Sequence, residues 1–133
     1  MMTPAGQQPG RVLVVEDDLH IAEVLTDLLE DEGYQVATGV NGKALAAALD
    51  DPPGLILLDV MMPGMDGIEF CRRLKANEGT KDVPVVFVTA MPADLLTTQL
   101  AGASYEGIIR KPFTIDEVLD TVQRHLPQPS REA

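Results

Sequence analysis

The residues of this chain best suited to chemistry stand at the ends of short apolar runs. Asp59 follows Leu55, Ile56, Leu57 and Leu58, with the turn residues Pro63, Gly64 and Gly67 soon after. Glu16, Asp17 and Asp18 follow Val12, Leu13, Val14 and Val15; Thr89 and Ala90 follow Val85, Val86, Phe87 and Val88; Lys111 and Pro112 come just after Gly107, Ile108 and Ile109. An unalternating apolar run too short for a helix reads as a strand buried on both faces. In an open parallel sheet, ligands sit beyond the carboxyl ends of the strands. On position alone Asp59 suits a helix N-cap or loop solvation as well as a reactive role.

The other strand ends decide between these readings. With a strand order of 2-1-3-4-5, the first and third strands are neighbours at the point where the order reverses, so Glu16, Asp17 and Asp59 meet in one crevice with Lys111. Crowded carboxylates call for a cation, and hard oxygen donors with open water positions are what Mg²⁺ accepts. No Ser, Cys or His lies at these strand ends, which leaves a carboxylate as the nucleophile. A metal-neutralised carboxylate facing a lysine suits attack on phosphorus. Asp59 would become an acyl phosphate, its oxygens neutralised by Mg²⁺, by the Lys111 ammonium, and by the Thr89 hydroxyl with the Ala90 N–H.

The intervening segments can hold these ends in place. Ile21, Val24, Leu25, Leu28 and Leu29 recur at helical spacing before Gly33, and residues 34–38 alternate as a second, shorter strand. Asn41 and Gly42 turn the chain into an Ala-rich helix over 43–49. Ile68, Cys71, Leu74 and their neighbours give a third helix with Asp66 as N-cap, residues 92–100 a short fourth, and Ile115, Val118, Leu119, Val122 and Leu126 a fifth. Asp18 and Asp66 are better caps than ligands. Five buried strands alternating with five helices predict an α/β fold, a parallel sheet with helices on both faces.

Composition bounds the function. At 133 residues the chain is one domain by length, with tails expected over 1–9 and 127–133 and the domain over 10–126. With no Trp and 4% aromatics, its core must be aliphatic. One cysteine, Cys71, excludes an internal disulfide and a cysteine zinc cluster, in keeping with a cytoplasmic protein. No apolar run approaches a membrane span and no secretory leader is evident. A net charge of −11 opposes direct nucleic-acid binding and suits a cation or a basic protein face.

The chain resembles the receiver domain of two-component response regulators over nearly all of residues 11–126. The pieces are Glu16 and Asp17 after an apolar strand, Asp59 followed by Met62, Pro63, Met65, Asp66 and Gly67, Thr89 with Ala90, and Lys111, Pro112 and Phe113. The resemblance implies a flavodoxin-like doubly wound sheet and a signalling domain, not a turnover enzyme. It also implies Asp59 as phosphoacceptor, with Mg²⁺ (or Mn²⁺) held by Asp17, Asp59 and the Met61 carbonyl and assisted by Glu16. Lys111, Thr89 and the Ala90 N–H would grip the phosphoryl group, and the Lys111–Pro112 bond would be cis. The implied partners are a histidine kinase or histidine phosphotransfer protein, then a downstream protein or an effector domain, with a phosphorylation-dependent dimer among the output forms. The face built from the fourth helix, fifth strand and fifth helix would carry the signal.

One departure concerns that output. Receivers usually carry Tyr or Phe three residues before the lysine, where Ile108 stands here; Tyr105 is nearby, and residues 101–104 sit two places further from Lys111 than is common. This departure favours an alternative, a receiver-fold interaction module that works without phosphorylation. A haloacid dehalogenase-type phosphatase would need a second Asp two places after Asp59, and Met61 occupies that position.

Overall fold

The structure, a computed structural model, describes residues 8–62 and 65–126; residues 1–7 of the tail expected over 1–9, the tail expected over 127–133, and Pro63 and Gly64 of the central motif lie outside them. Chain order is β1 (Gln8–Val15), α1 (Leu19–Asp31), β2 (Gln35–Gly39), α2 (Asn41–Asp50), β3 (Pro53–Leu58), β4 (Met61–Met62), β5 (Met65–Asp66), α3 (Gly67–Lys75), β6 (Val85–Thr89), α4 (Ala93–Gln99), β7 (Gly107–Arg110) and α5 (Ile115–His125). The main sheet runs β2-β1-β3-β6-β7 with every pairing parallel. Counting only its members, this is the expected order 2-1-3-4-5. The antiparallel ladder of β4 and β5, just after Asp59, was not foreseen: two residues a side carry no hydrophobic period. β1 also begins inside the expected tail, where Gln8 pairs with Pro53.

The apolar runs are buried because the sheet is covered twice. Val12, Val14, Leu55, Leu57, Val86 and Val88 face Leu25 and Leu29 of α1 and Val118 and Val122 of α5. Leu13, Val15, Ile56, Leu58, Val85 and Phe87 face α2, α3 and α4 through Leu45, Phe70, Leu74, Leu96 and others. Alternate side chains along each strand thus enter opposite layers, which a run without polar interruption requires. Each layer buries several Leu or Phe side chains worth roughly 1.5–3 kcal/mol apiece.

Side-chain caps start α1, α3 and α5. Asp18 accepts from the His20 and Ile21 N–H groups and Asp66 from Ile68 N–H, both in the expected cap role. Thr114 and Glu117 cap each other's backbone at the start of α5. Asn41, read as a turn residue, instead opens α2 at φ 51°. Among the described residues, no helix is long and apolar enough to cross a membrane.

Candidate functional site

Register brings the acids together. Val15 pairs with Leu58, and the Asp59 N–H donates to the Val15 carbonyl at 3.0 Å, so Glu16 and Asp59 leave the sheet side by side. One carboxylate oxygen each from Glu16, Asp17 and Asp59 lies within 4.8 Å of the others. Glu16 and Asp59 are only 3% and 6% exposed, while Asp17 faces solvent. From the strand end next but one to β3, Lys111 places its ammonium 2.9 Å from Glu16 Oε1 and 3.7 Å from Asp59 Oδ2. Three carboxylates against one ammonium leave the crevice two charges negative.

The donor set fits a hard divalent cation. Glu16 Oε1 is buried, and the Lys111 ammonium at 2.9 Å is the positive group that faces it. Burial pushes the Glu16 carboxyl above its ordinary value; Lys111 draws it back in part, the Asp59 charge adds to the rise, and the Asp18 N–H at 3.2 Å on Oε2 opposes it. A dication among these oxygens would relieve the repulsion between the carboxylates.

The Asp59 carboxylate is aimed by its own loop. Met61 N–H donates to Oδ1 at 3.1 Å, leaving Oδ2 toward Lys111. Gly67 N–H donates to the Val60 carbonyl at 2.9 Å, which draws the start of α3 against the Asp59–Val60 backbone. That approach leaves no room for a side chain: a Cβ on Gly67 would overlap the Asp59 carbonyl oxygen and lie 2.8 Å from Val60 Cα. Thr89, buried at the end of β6, stands beside the β3 terminus, and its hydroxyl accepts the Met91 N–H at 3.1 Å. The hydroxyl proton is therefore free to be donated elsewhere. Ala90 is exposed, on the rim of an apolar groove of about 390 Å³ shared with Ile21, Val24, Lys111, Pro112 and Phe113. The Lys111–Pro112 bond is cis, as expected.

Comparison with known proteins bears on this arrangement. Residues 12–123 match the family described as "Response regulator receiver domain". The chain belongs to that family. Among curated proteins, this receiver is 41% identical over 119 residues to the DNA-binding response regulator MtrA of Mycolicibacterium paratuberculosis, covering 87% of this chain and 51% of MtrA. It is 36% identical over 124 residues to the DNA-binding dual master transcriptional regulator RpaA of Synechocystis, covering 91% and 51%. The chain thus spans about half the length of these relatives. Among solved structures, the receiver is similar to the chemotaxis response regulator CheY4 of Vibrio cholerae, with TM-score 0.81, 31% identity, and 90% and 100% of the two chains covered. It is also similar to the receiver domain of the sensor histidine kinase PA1611 of Pseudomonas aeruginosa, with TM-score 0.81, 27% identity, and 89% and 98% coverage. That structure is described as having a magnesium ion coordinated in its active-site cleft. The names of MtrA and RpaA lend no support to the expectation, drawn from net charge, that nucleic acid is not a direct partner.

The receiver's departure at Ile108 has a structural counterpart. Ile108 is partly buried against the core layer that holds Phe87. Tyr105 meets the Phe87 ring edge-on at 5.6 Å and remains 38% exposed. Tyr105 and Ile108 line one groove of about 490 Å³ with Leu96 and Leu100 from the fourth-helix side. Sequence reading missed three features around the site: the Met91 N–H on Thr89, the exclusion of a side chain at Gly67, and the contacts of Glu106 described below. Only Gly67 left a signal, as a glycine directly after a helix cap.

Proposed function

We propose that this receiver is phosphorylated on Asp59 by a histidine kinase or histidine phosphotransfer protein, in a reaction that depends on Mg²⁺ (or Mn²⁺). The observation that supports it is the Lys111 ammonium set between Glu16 and Asp59 where three carboxylates converge. An Asp59 carboxylate oxygen forms a bond to phosphorus while the donor's N–P bond breaks; the electron pair stays on the imidazole nitrogen, which then takes a proton. Lys111 neutralises one phosphoryl oxygen. Thr89, already accepting from Met91 N–H, donates its hydroxyl proton to another, with the Ala90 N–H beside it. Glu16, Asp17, Asp59 and the Met61 carbonyl would hold the cation, which supplies charge neutralisation at the transferring group.

In this reading the receiver, expected over 10–126, begins with β1 at Gln8, and 127–133 form a tail or linker, in the cytoplasm. The signal leaves through the face of α4, β7 and α5, where Tyr105 takes the aromatic's place beside Ile108, toward a protein partner, a second copy or an effector domain. The domain stores a phosphoryl group and does not turn over a substrate.

Intact mass after incubation with an acyl phosphate donor and Mg²⁺ tests the reading: one phosphoryl increment is expected in the wild type and none in Asp59→Asn. Wild-type protein left unmodified would refute it. The phosphorylation-independent alternative is favoured by Ile108 alone, and partner binding indifferent both to Mg²⁺ and to Asp59→Asn would establish it.

A further inference from the structure

β7 is only four residues long and lies at an edge of the sheet, yet it delivers Lys111. Only two apolar residues of the strand contribute to its register. Ile108 packs into one core layer and the buried Ile109 belongs to the other, so both faces of the strand are apolar. A slip of one residue would put Gly107 in the place of Ile108 or Arg110 in that of the buried Ile109, so from inside the protein only these two isoleucines hold the register. Such a slip would move Lys111 by about 3.3 Å and send its side chain to the opposite face.

Polar contacts at the strand's entry oppose the slip. Glu106, directly before β7, donates its N–H to the Val85 carbonyl at 2.8 Å and accepts the Val85 N–H on Oε1 at 2.7 Å. Both carboxylate oxygens also accept from Lys75 Nζ, at 3.0 and 3.1 Å. The same ammonium donates to the Val83 carbonyl at 3.0 Å and the Lys81 carbonyl at 3.4 Å, which ties the end of α3 to the entry of β6. Backbone and side chain of one residue therefore grip both polar groups of Val85. The register Val86 to Gly107, Phe87 to Ile108, Val88 to Ile109 and Thr89 to Arg110 follows. At the far end Lys111 N–H reaches the Thr89 carbonyl at 2.9 Å.

We propose that Glu106, clamped to Val85 and Lys75, is a positioning residue for Lys111: it sets the register of β7 from about 17 Å away along the strand. The inference rests on the phosphoacceptor reading of Asp59. Since Glu16, Asp17 and Asp59 follow the ends of β1 and β3, losing the clamp should displace the lysine and leave the metal-binding acids in place.

The test compares wild type, Glu106→Ala and Glu106→Gln for the rate of Asp59 phosphorylation by an acyl phosphate donor at saturating Mg²⁺, and separately for Mg²⁺ affinity by calorimetry. Alanine is expected to slow phosphorylation by about tenfold or more, the scale of effect of a misplaced reacting group, with Mg²⁺ affinity not weakened, since a displaced Lys111 ammonium competes less with the cation. Glutamine keeps an oxygen for the Val85 N–H and should restore most of the rate. Glu106→Asp keeps the charge but is one methylene too short for that bond; it should behave like alanine, which preserves the test if Glu106→Ala does not fold. Glu78→Ala, which breaks the exposed pair with Lys81, controls for loss of a surface charge. A wild-type rate in the alanine and aspartate variants, or a rate and a Mg²⁺ affinity that fall together, would overturn the proposal. An Asp59 that is never modified in the wild type would instead refute the reading on which it rests.

Discussion

Replacing Gly67 with alanine should damage stability and chemistry together. The added Cβ meets only backbone: the Asp59 carbonyl oxygen, Val60 Cα at 2.8 Å and the Val60 carbonyl oxygen at 3.0 Å. No rotamer change can clear backbone atoms, so either the start of α3 retreats or the segment 59–60 is pushed away, by on the order of half an ångström or more. Retreat strains the Gly67 N–H bond to Val60 and the Asp66 cap on Ile68. Pushing moves the Asp59 carboxylate relative to Glu16 and Lys111. Overpacking of this kind costs about 1–3 kcal/mol, and a reacting group displaced toward 1 Å costs up to about a hundredfold in rate. Urea unfolding gives the first quantity and the phosphorylation time course the second. Gly42→Ala is the internal control, since no atom lies within 4 Å of its added Cβ on an exposed turn of α2. It should be neutral or stabilising by up to about 1 kcal/mol. If Gly67→Ala unfolded at the wild-type midpoint and accepted phosphate at the wild-type rate, the close packing of α3 on the Asp59 loop would not be what aims the carboxylate.

Two further outcomes follow from the buried titratable groups. Because burial raises the Glu16 pKa, the folded state holds that proton more tightly than the unfolded one. Its contribution therefore favours folding at low pH and is lost as pH rises from the ordinary value of 4.5 through the raised one. In chelator, the urea midpoint of wild type should fall across that window relative to Glu16→Gln, and Mg²⁺ should remove the difference at neutral pH; parallel pH profiles would contradict the assignment. Burial also pushes the Cys71 thiol up to about 11, while its sulfur rests 3.2 Å from the Ser104 carbonyl. A thiol-specific disulfide reagent at about pH 8 should label the folded protein far more slowly than the unfolded chain. Equal labelling rates would show Cys71 to be accessible.

Much of the fold could be read from sequence because the signals are local. Val12 to Val15, Leu55 to Leu58 and Val85 to Val88 are apolar on consecutive residues, which only a strand covered on both faces can satisfy. Asp18 and Asp66 stand before helical periods with the side chain a cap needs, and both cap. The candidate site was legible for a related reason. Its residues stand within three places of the ends of such runs, so knowing that the strands are parallel places them all on one side.

What sequence by itself determined, then, is which side chains leave the sheet at its carboxyl edge, since burial and turn chemistry act over a few neighbouring residues. How those side chains face one another was decided in three dimensions. The 2.9 Å contact of Lys111 with Glu16 joins residues far apart in the chain, and it exists only because β1, β3, β6 and β7 lie in that order and register. Glu106 and Lys75, thirty-one positions apart, left no pattern at all. A hydrogen bond or ion pair is settled by distances of a few ångströms, and for remote residues only the packed sheet and its helices set those distances.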